Sequence, residues 1–142
     1  MVVRRPAYPF VPKSSAYLLP GHFWGVPLRD GRFACGVVVA IPTGQDVPQR
    51  AVNGRTFVAG LLDWSGDDLP SPAAVGDRPL LAWGFGHIKM IGTNGGAILG
   101  RRSVPAGVDG ALELPVGTWG FRYVVALADR AFVDGGPIAR AE

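Results

Sequence analysis

The sequence predicts a mainly β protein of the α+β kind. The expected form is a small, strongly twisted antiparallel sheet or SH3-like barrel of about six to eight short strands with one short helix. Three observations predict it. Gly (21) and Pro (13) fill close to a quarter of the 142 residues. Each interior Gly costs a helix about 1 kcal/mol and each Pro about 3, which excludes a helical bundle. Apolar residues make up 48% of the chain and charged residues only 18%, the reverse of a disordered sequence. Finally, Asp30-Gly31 stands between two apolar runs and is the dipeptide favoured in two-residue hairpin turns.

Residues 1–20 carry Pro6, Pro9, Pro12 and Pro20 and no strand or helix period. They are expected to form an extended Pro-rich arm packed on the body, with Tyr8, Phe10 and Tyr17 against it. Residues 21–142 form one β-rich domain. With Asp30-Gly31 as a two-residue turn, Arg29 faces Arg32. The pairs then run outward as Leu28–Phe33, Val26–Cys35, Trp24–Val37 and His22–Val39. The other face carries Phe23–Val38, Gly25–Gly36 and Pro27–Ala34, where small residues admit a close backbone or a large aromatic ring.

Residues 56–62 read as a third strand with Phe57, Ala59 and Leu61 on one face, and residues 63–68 as the loop after it. Ser71 followed by Pro72 is a helix start, Ser as cap and Pro in the first turn. Asn94-Gly95 signals a second hairpin joining residues 86–92 to 97–103. Phe121, Tyr123, Val125 and Leu127 alternate as in a strand, and residues 131–133 would add a short one.

Tests for chemistry come out against an enzyme. Cys35 is the single cysteine and His22 and His87 the two histidines, without C-x-x-C or H-x-x-x-H spacing, so neither a metal nor a cofactor is expected. Gly95 and Gly100 have phosphate-loop spacing, but Arg101 stands where Lys is required and Arg102 where Ser or Thr belongs. Cys35 falls mid-strand on an apolar face, the place of a buried thiol rather than a nucleophile. The bland reading of each histidine is a hydrogen-bonded ring at a sheet end. Asp63, Asp67 and Asp68 lack the Glu, Asn or His at fixed offset that a magnesium site would add, and read as a solvated acidic loop. Trp64 among them is either an interface anchor or the core residue that ends the third strand.

The formal net charge of +3 permits a nucleic-acid partner without demanding one. Arg4 and Arg5 precede no apolar core of a secretory signal. The longest apolar stretch, near 36–42, falls far below the ~20 residues that span a bilayer. A cytoplasmic protein without membrane contact is expected, and its mild hydrophobicity leaves a homodimer open.

Residues 21–37, GHFWGVPLRDGRFACGV, resemble the opening of the immunity protein 26 family, most closely through Pro27-Leu28-Arg29-Asp30-Gly31-Arg32-Phe33 and Gly36. The likeness extends loosely through 57–64. It implies a small cytoplasmic α+β protein encoded beside a bacterial polymorphic toxin, which binds that cognate toxin, blocks it and catalyses nothing. No contact residue carries over from the resemblance. The partner-binding residues expected here come from this chain alone: Asp63, Trp64, Asp67 and Asp68, and less strongly Arg29 and Arg32. Two other readings compete. One is a small β-barrel that binds single-stranded nucleic acid through Arg29, Arg32, Arg101 and Arg102. The other is a structural or regulatory interaction module.

Overall fold

A computed structural model describes residues 7–41, 55–92, 96–103, 119–120 and 122–135. Five antiparallel strands form one open sheet in the order β4-β3-β2-β1-β5. In chain order these are β1 (His22–Pro27), β2 (Phe33–Ala40), β3 (Thr56–Gly66), β4 (Leu80–His87) and β5 (Ile98–Arg101). Three short α-helices accompany them, α1 (Pro72–Val75), α2 (Lys89–Gly92) and α3 (Tyr123–Phe132), along with a 3-10 turn at Ser15–Tyr17. The protein is thus mainly β, as expected, with three short α-helices among the described residues where one was expected. The sheet does not close into a barrel, and the described residues hold five strands rather than six to eight.

β1 and β2 form the expected hairpin, but one residue out of the expected register. Trp24 pairs with Gly36, Gly25 with Cys35, Val26 with Ala34 and Pro27 with Phe33. The cause is the turn. Its loop has three residues, Arg29, Asp30 and Gly31. The Gly31 N–H donates to the Leu28 carbonyl (3.0 Å), the Leu28 N–H donates to the Arg32 carbonyl (2.9 Å), and Gly31 sits at φ +90°. A type I turn closed by a left-handed Gly is the next most common hairpin connection after the two-residue one. The slip regroups the side chains. Trp24, Val26 and Leu28 now share a core with Ala34 and Val38, while Cys35 and Val37 join Phe23 in a second. Arg29 and Arg32 do not oppose each other. Close approach at a glycine does occur, because a Cβ on Gly36 would run into the six-membered ring of Trp24.

β3 places Phe57, Ala59 and Leu61 in the Trp24 core as expected, but it continues to Gly66. Asp63, Trp64, Ser65 and Gly66 are therefore strand rather than loop. Ser65 and Gly66 pair with Ala34 and Phe33, so the hairpin end of β2 keeps its ladder partner. Beyond it, α1 starts as read: the Ser71 hydroxyl accepts the Ala74 N–H (3.2 Å) and Pro72 opens the turn.

The second expected hairpin does not form. β4 pairs with β3 and β5 with β1, at opposite edges of the sheet. α2 follows β4 almost at once and buries Met90 and Ile91. Asn94 and Gly95 lie outside the described residues.

The final strands are replaced by α3. Its buried residues, Val124, Leu127 and Ala128, follow the i, i+3, i+4 spacing of one helix face. The alternation of Tyr123, Val125 and Leu127 was the weaker of two overlapping periods, since Tyr123 stays exposed and Val125 is only partly covered. Phe121 lies outside the described residues.

The sheet separates two cores. On one side Trp24, Phe57 and Leu61 lie under α3, α2 and the segment around Phe10. On the other, Phe23, Cys35, Val37, Val58 and Leu62 meet Val75 of α1, with Trp64, Trp83, Phe85 and Leu99 only partly buried around them. Phe10 bridges to Ile98 on β5 through two backbone hydrogen bonds, its N–H donating at 3.1 Å and its carbonyl accepting at 2.7 Å.

Candidate functional site

The hairpin tip carries Arg29 and Arg32, the weaker of the expected partner-binding residues. The structure engages both with the end of α3. The Arg29 backbone N–H donates to Asp129 Oδ1 (2.9 Å), and its guanidinium pairs with Asp134. Arg32 works through every part of its side chain. Nε bonds Asp30 Oδ2 (2.9 Å), Nη1 reaches Ser65 Oγ (3.3 Å), and Nη2 donates to the Phe132 carbonyl (2.7 Å). That carbonyl lies in the last turn of α3, where helix carbonyls lack internal partners and a cation is favoured. The Arg32 backbone N–H, then its guanidinium, hold the Asp30 carboxyl below its ordinary value. Arg29 keeps 56% of its side-chain surface exposed and Arg32 34%. Both fasten the helix to the sheet.

The acidic run has the opposite character. Asp63, Asp67 and Asp68 are exposed, and among the described residues no ion pair takes up any of their carboxylates. Trp64 is part covered and part open. It packs half-buried on the Phe23–Cys35 side, with its ring against Gly66. Leu69, which sequence reasoning passed over, is half exposed next to Asp68. Its foot explains its position: a Cβ on Gly25 would come within 2.6 Å of Leu69 Cδ2, so the segment after β3 folds back over β1 where β1 is thinnest. The Gly25 signal was visible, but the residue that uses it was not.

Cys35 is fully buried, as its strand position implied, and burial pushes its thiol pKa far up, with a small opposing pull from Arg102. His87 accepts the Lys89 N–H on Nδ1 (3.0 Å), and desolvation, then Lys89 and Arg55, hold its pKa below the ordinary value. His22 is buried and hydrogen-bonded at the start of β1. Arg101 and Arg102 sit at the far end of β1 from the hairpin tip, since Arg101 pairs with His22. Arg101 Nε bonds the Pro20 carbonyl (3.0 Å), and Arg102 Nη1 donates to the carbonyls of Val75 (2.6 Å) and Arg78 (2.7 Å). The four arginines of the nucleic-acid reading therefore form two separate groups, each engaged at least in part by the protein's own carbonyls and carboxylates.

Among the described residues no three His, Cys, Asp or Glu side chains gather as a metal would need. No described helix is long and apolar enough to cross a membrane. Fold and site together define a small, open-sheet, mainly β protein with an exposed acidic corner. No family model, curated protein or solved structure matches the chain.

Proposed function

We propose that this chain is an immunity-type binding protein that neutralises a cognate bacterial toxin by direct contact, and that it catalyses no reaction. One observation carries the choice of surface. Asp63, Asp67 and Asp68 stay exposed without ion pairs among the described residues, and half-exposed Leu69 directly follows Asp68, whereas Arg29 and Arg32 are bonded to groups of the fold itself. Exposed carboxylates next to an apolar side chain suit a basic partner surface, with charge steering the encounter and Leu69 providing contact area. The resemblance of residues 21–37 to the immunity protein 26 family supplies the class of partner. The family-like segment itself builds the hairpin and its helix clasp, which fits a scaffold element shared between proteins with different partners. The cytoplasm is the compartment this reading requires.

The test is co-expression with the product of the adjacent gene, followed by association kinetics across a salt series. The double variant Asp67→Lys/Asp68→Lys is expected to associate roughly tenfold more slowly and with a flatter salt dependence. Absence of a complex overturns the function, and unchanged kinetics in the double variant overturn the surface. A mobility shift with single-stranded DNA at low salt would instead favour the nucleic-acid reading, which the separation of its arginines disfavours.

A further inference from the structure

β5 ends on Arg101, and Arg102 and Ser103 follow it directly. With Pro20 these residues line a surface cavity of about 500 Å³. The backbone at this corner is fixed by a short relay. The Arg102 N–H donates to the Gly21 carbonyl at 3.0 Å, and the Gly21 N–H donates to the Val38 carbonyl at 2.7 Å. Gly21 has φ +96°, and a Cβ on it would run into the Arg102 carbonyl, so glycine is what admits this approach.

The two guanidiniums are oriented but not neutralised. The Pro20 carbonyl holds Arg101 Nε (3.0 Å), and the Ser103 carbonyl holds Arg102 Nε (2.7 Å). Arg102 Nη1 donates to the carbonyls of Val75 (2.6 Å) and Arg78 (2.7 Å). Every one of these acceptors is an uncharged carbonyl. Among the described residues neither arginine forms an ion pair, and Arg101 Nη1, Arg101 Nη2 and Arg102 Nη2 remain as donors. Asp77 is the carboxylate whose charge acts on Arg102, from beyond ion-pair distance. Desolvation holds the Arg102 pKa below its ordinary value, so its charge lacks solvation that an anion can supply.

We propose that this cavity binds the phosphate group of a small phosphorylated molecule. Charge selects the group. Arg101, Arg102 and the adjacent Arg78 outnumber Asp77 by two, and a phosphate monoester carries about −1.5 to −2 at neutral pH. A carboxylate would cancel half of that excess. Guanidinium forks donate to phosphate oxygens in pairs, and the Ser103 hydroxyl stands on the same wall. Size selects the molecule. The cavity falls within the range of about 300–1,000 Å³ usual for small-ligand sites, which leaves room for a body beside Pro20. Single-stranded nucleic acid is held instead by a basic track with stacking aromatics, and no aromatic residue is among the described lining. The phosphate-loop spacing of Gly95 and Gly100 fails as a motif, yet the arginines after it supply donors of their own.

Amide shifts of the intact protein, followed at constant ionic strength, test the site with inorganic phosphate and with ribose 5-phosphate. Saturable shifts are expected at Gly21 and at residues 101–103, with the sugar phosphate binding more tightly. Arg101→Gln should weaken binding about tenfold. Asp77→Asn removes the opposing carboxylate and should tighten binding about threefold, a gain that a merely structural role would not produce. Arg122→Gln, an exposed arginine on the helix side, should leave it unchanged. No saturable shift, or equal affinity in wild type and Arg101→Gln, overturns the site. Should Arg101→Gln not fold, Asp77→Asn decides, and unchanged or weaker binding there overturns it. A sugar phosphate that binds no better than inorganic phosphate overturns the small-molecule assignment. So does tighter binding of a thymidine oligonucleotide, per phosphate, at the same amides.

Discussion

The two faces of the sheet are built from the same strands and protected very differently. The Trp24 face lies beneath α3, α2 and the arm, and its side chains are almost all buried. Among the described residues the Phe23 face has only α1 and the chain that folds back at Leu69, and Trp83, Phe85 and Leu99 remain half-buried around it. The difference teaches that one face carries the fold's rigidity while the other borders the exposed acidic corner. A covered aromatic core tolerates no added volume. A face closed by the tip of a flexible side chain does.

The same substitution made on each face gives the largest contrast. Gly36→Ala forces a methyl into the ring of Trp24, which is itself fully buried, and should cost about 2–3 kcal/mol in urea unfolding. Gly25→Ala meets the end of Leu69, half exposed and free to swing aside, and should cost less than about 1 kcal/mol. Comparable losses at both sites would break the comparison.

A second substitution probes the cover rather than the core. Arg32→Met removes the bonds to the Phe132 carbonyl and Ser65, and should cost about 1–2 kcal/mol once the partial exposure of the guanidinium is discounted. Exchange of the α3 amides should rise more than that of β2 and β3. A uniform rise would mean that the helix is not separately held.

The smallest expected effect is a pH dependence at the hairpin tip. Arg32 lowers the Asp30 pKa in the folded state, so the folded protein binds fewer protons there than the unfolded chain. The stabilisation is complete above the unfolded value of about 3.9 and fades as pH falls through the lower folded value. Asp30→Asn should flatten the acid limb of a stability–pH curve slightly. A steeper limb would contradict the assignment.

How much was legible in the sequence depended on whether local chemistry or tertiary burial made the decision. The Ser71-Pro72 start, the strand at 56–62 and the position of the first hairpin were local, and were readable. The register was not. Asp-Gly serves two-residue and three-residue loops alike, and only the bond from the Gly31 N–H to the Leu28 carbonyl, with Gly31 at positive φ, separates them. The Tyr123–Leu127 alternation competed with a helical spacing that needed the sheet as partner to prevail. At the candidate site, exposure of the aspartates could be read from composition. The engagement of Arg29 and Arg32 could not, because their partners lie on another element about a hundred residues away.

That distance has a consequence for how the molecule is made. The contacts from Arg29 and Arg32 to α3 span 100 to 105 residues of chain. The first hairpin can form as soon as it leaves the ribosome, yet the lid over Trp24 is not synthesised until some hundred residues later. At about 5–20 residues per second the interval lasts roughly 5–20 s. Throughout it, a nascent sheet displays the face that carries Trp24 and Phe57 without its longest helix. The time between translating the clasp and translating what it clasps is therefore an interval in which that face stands without α3 over it.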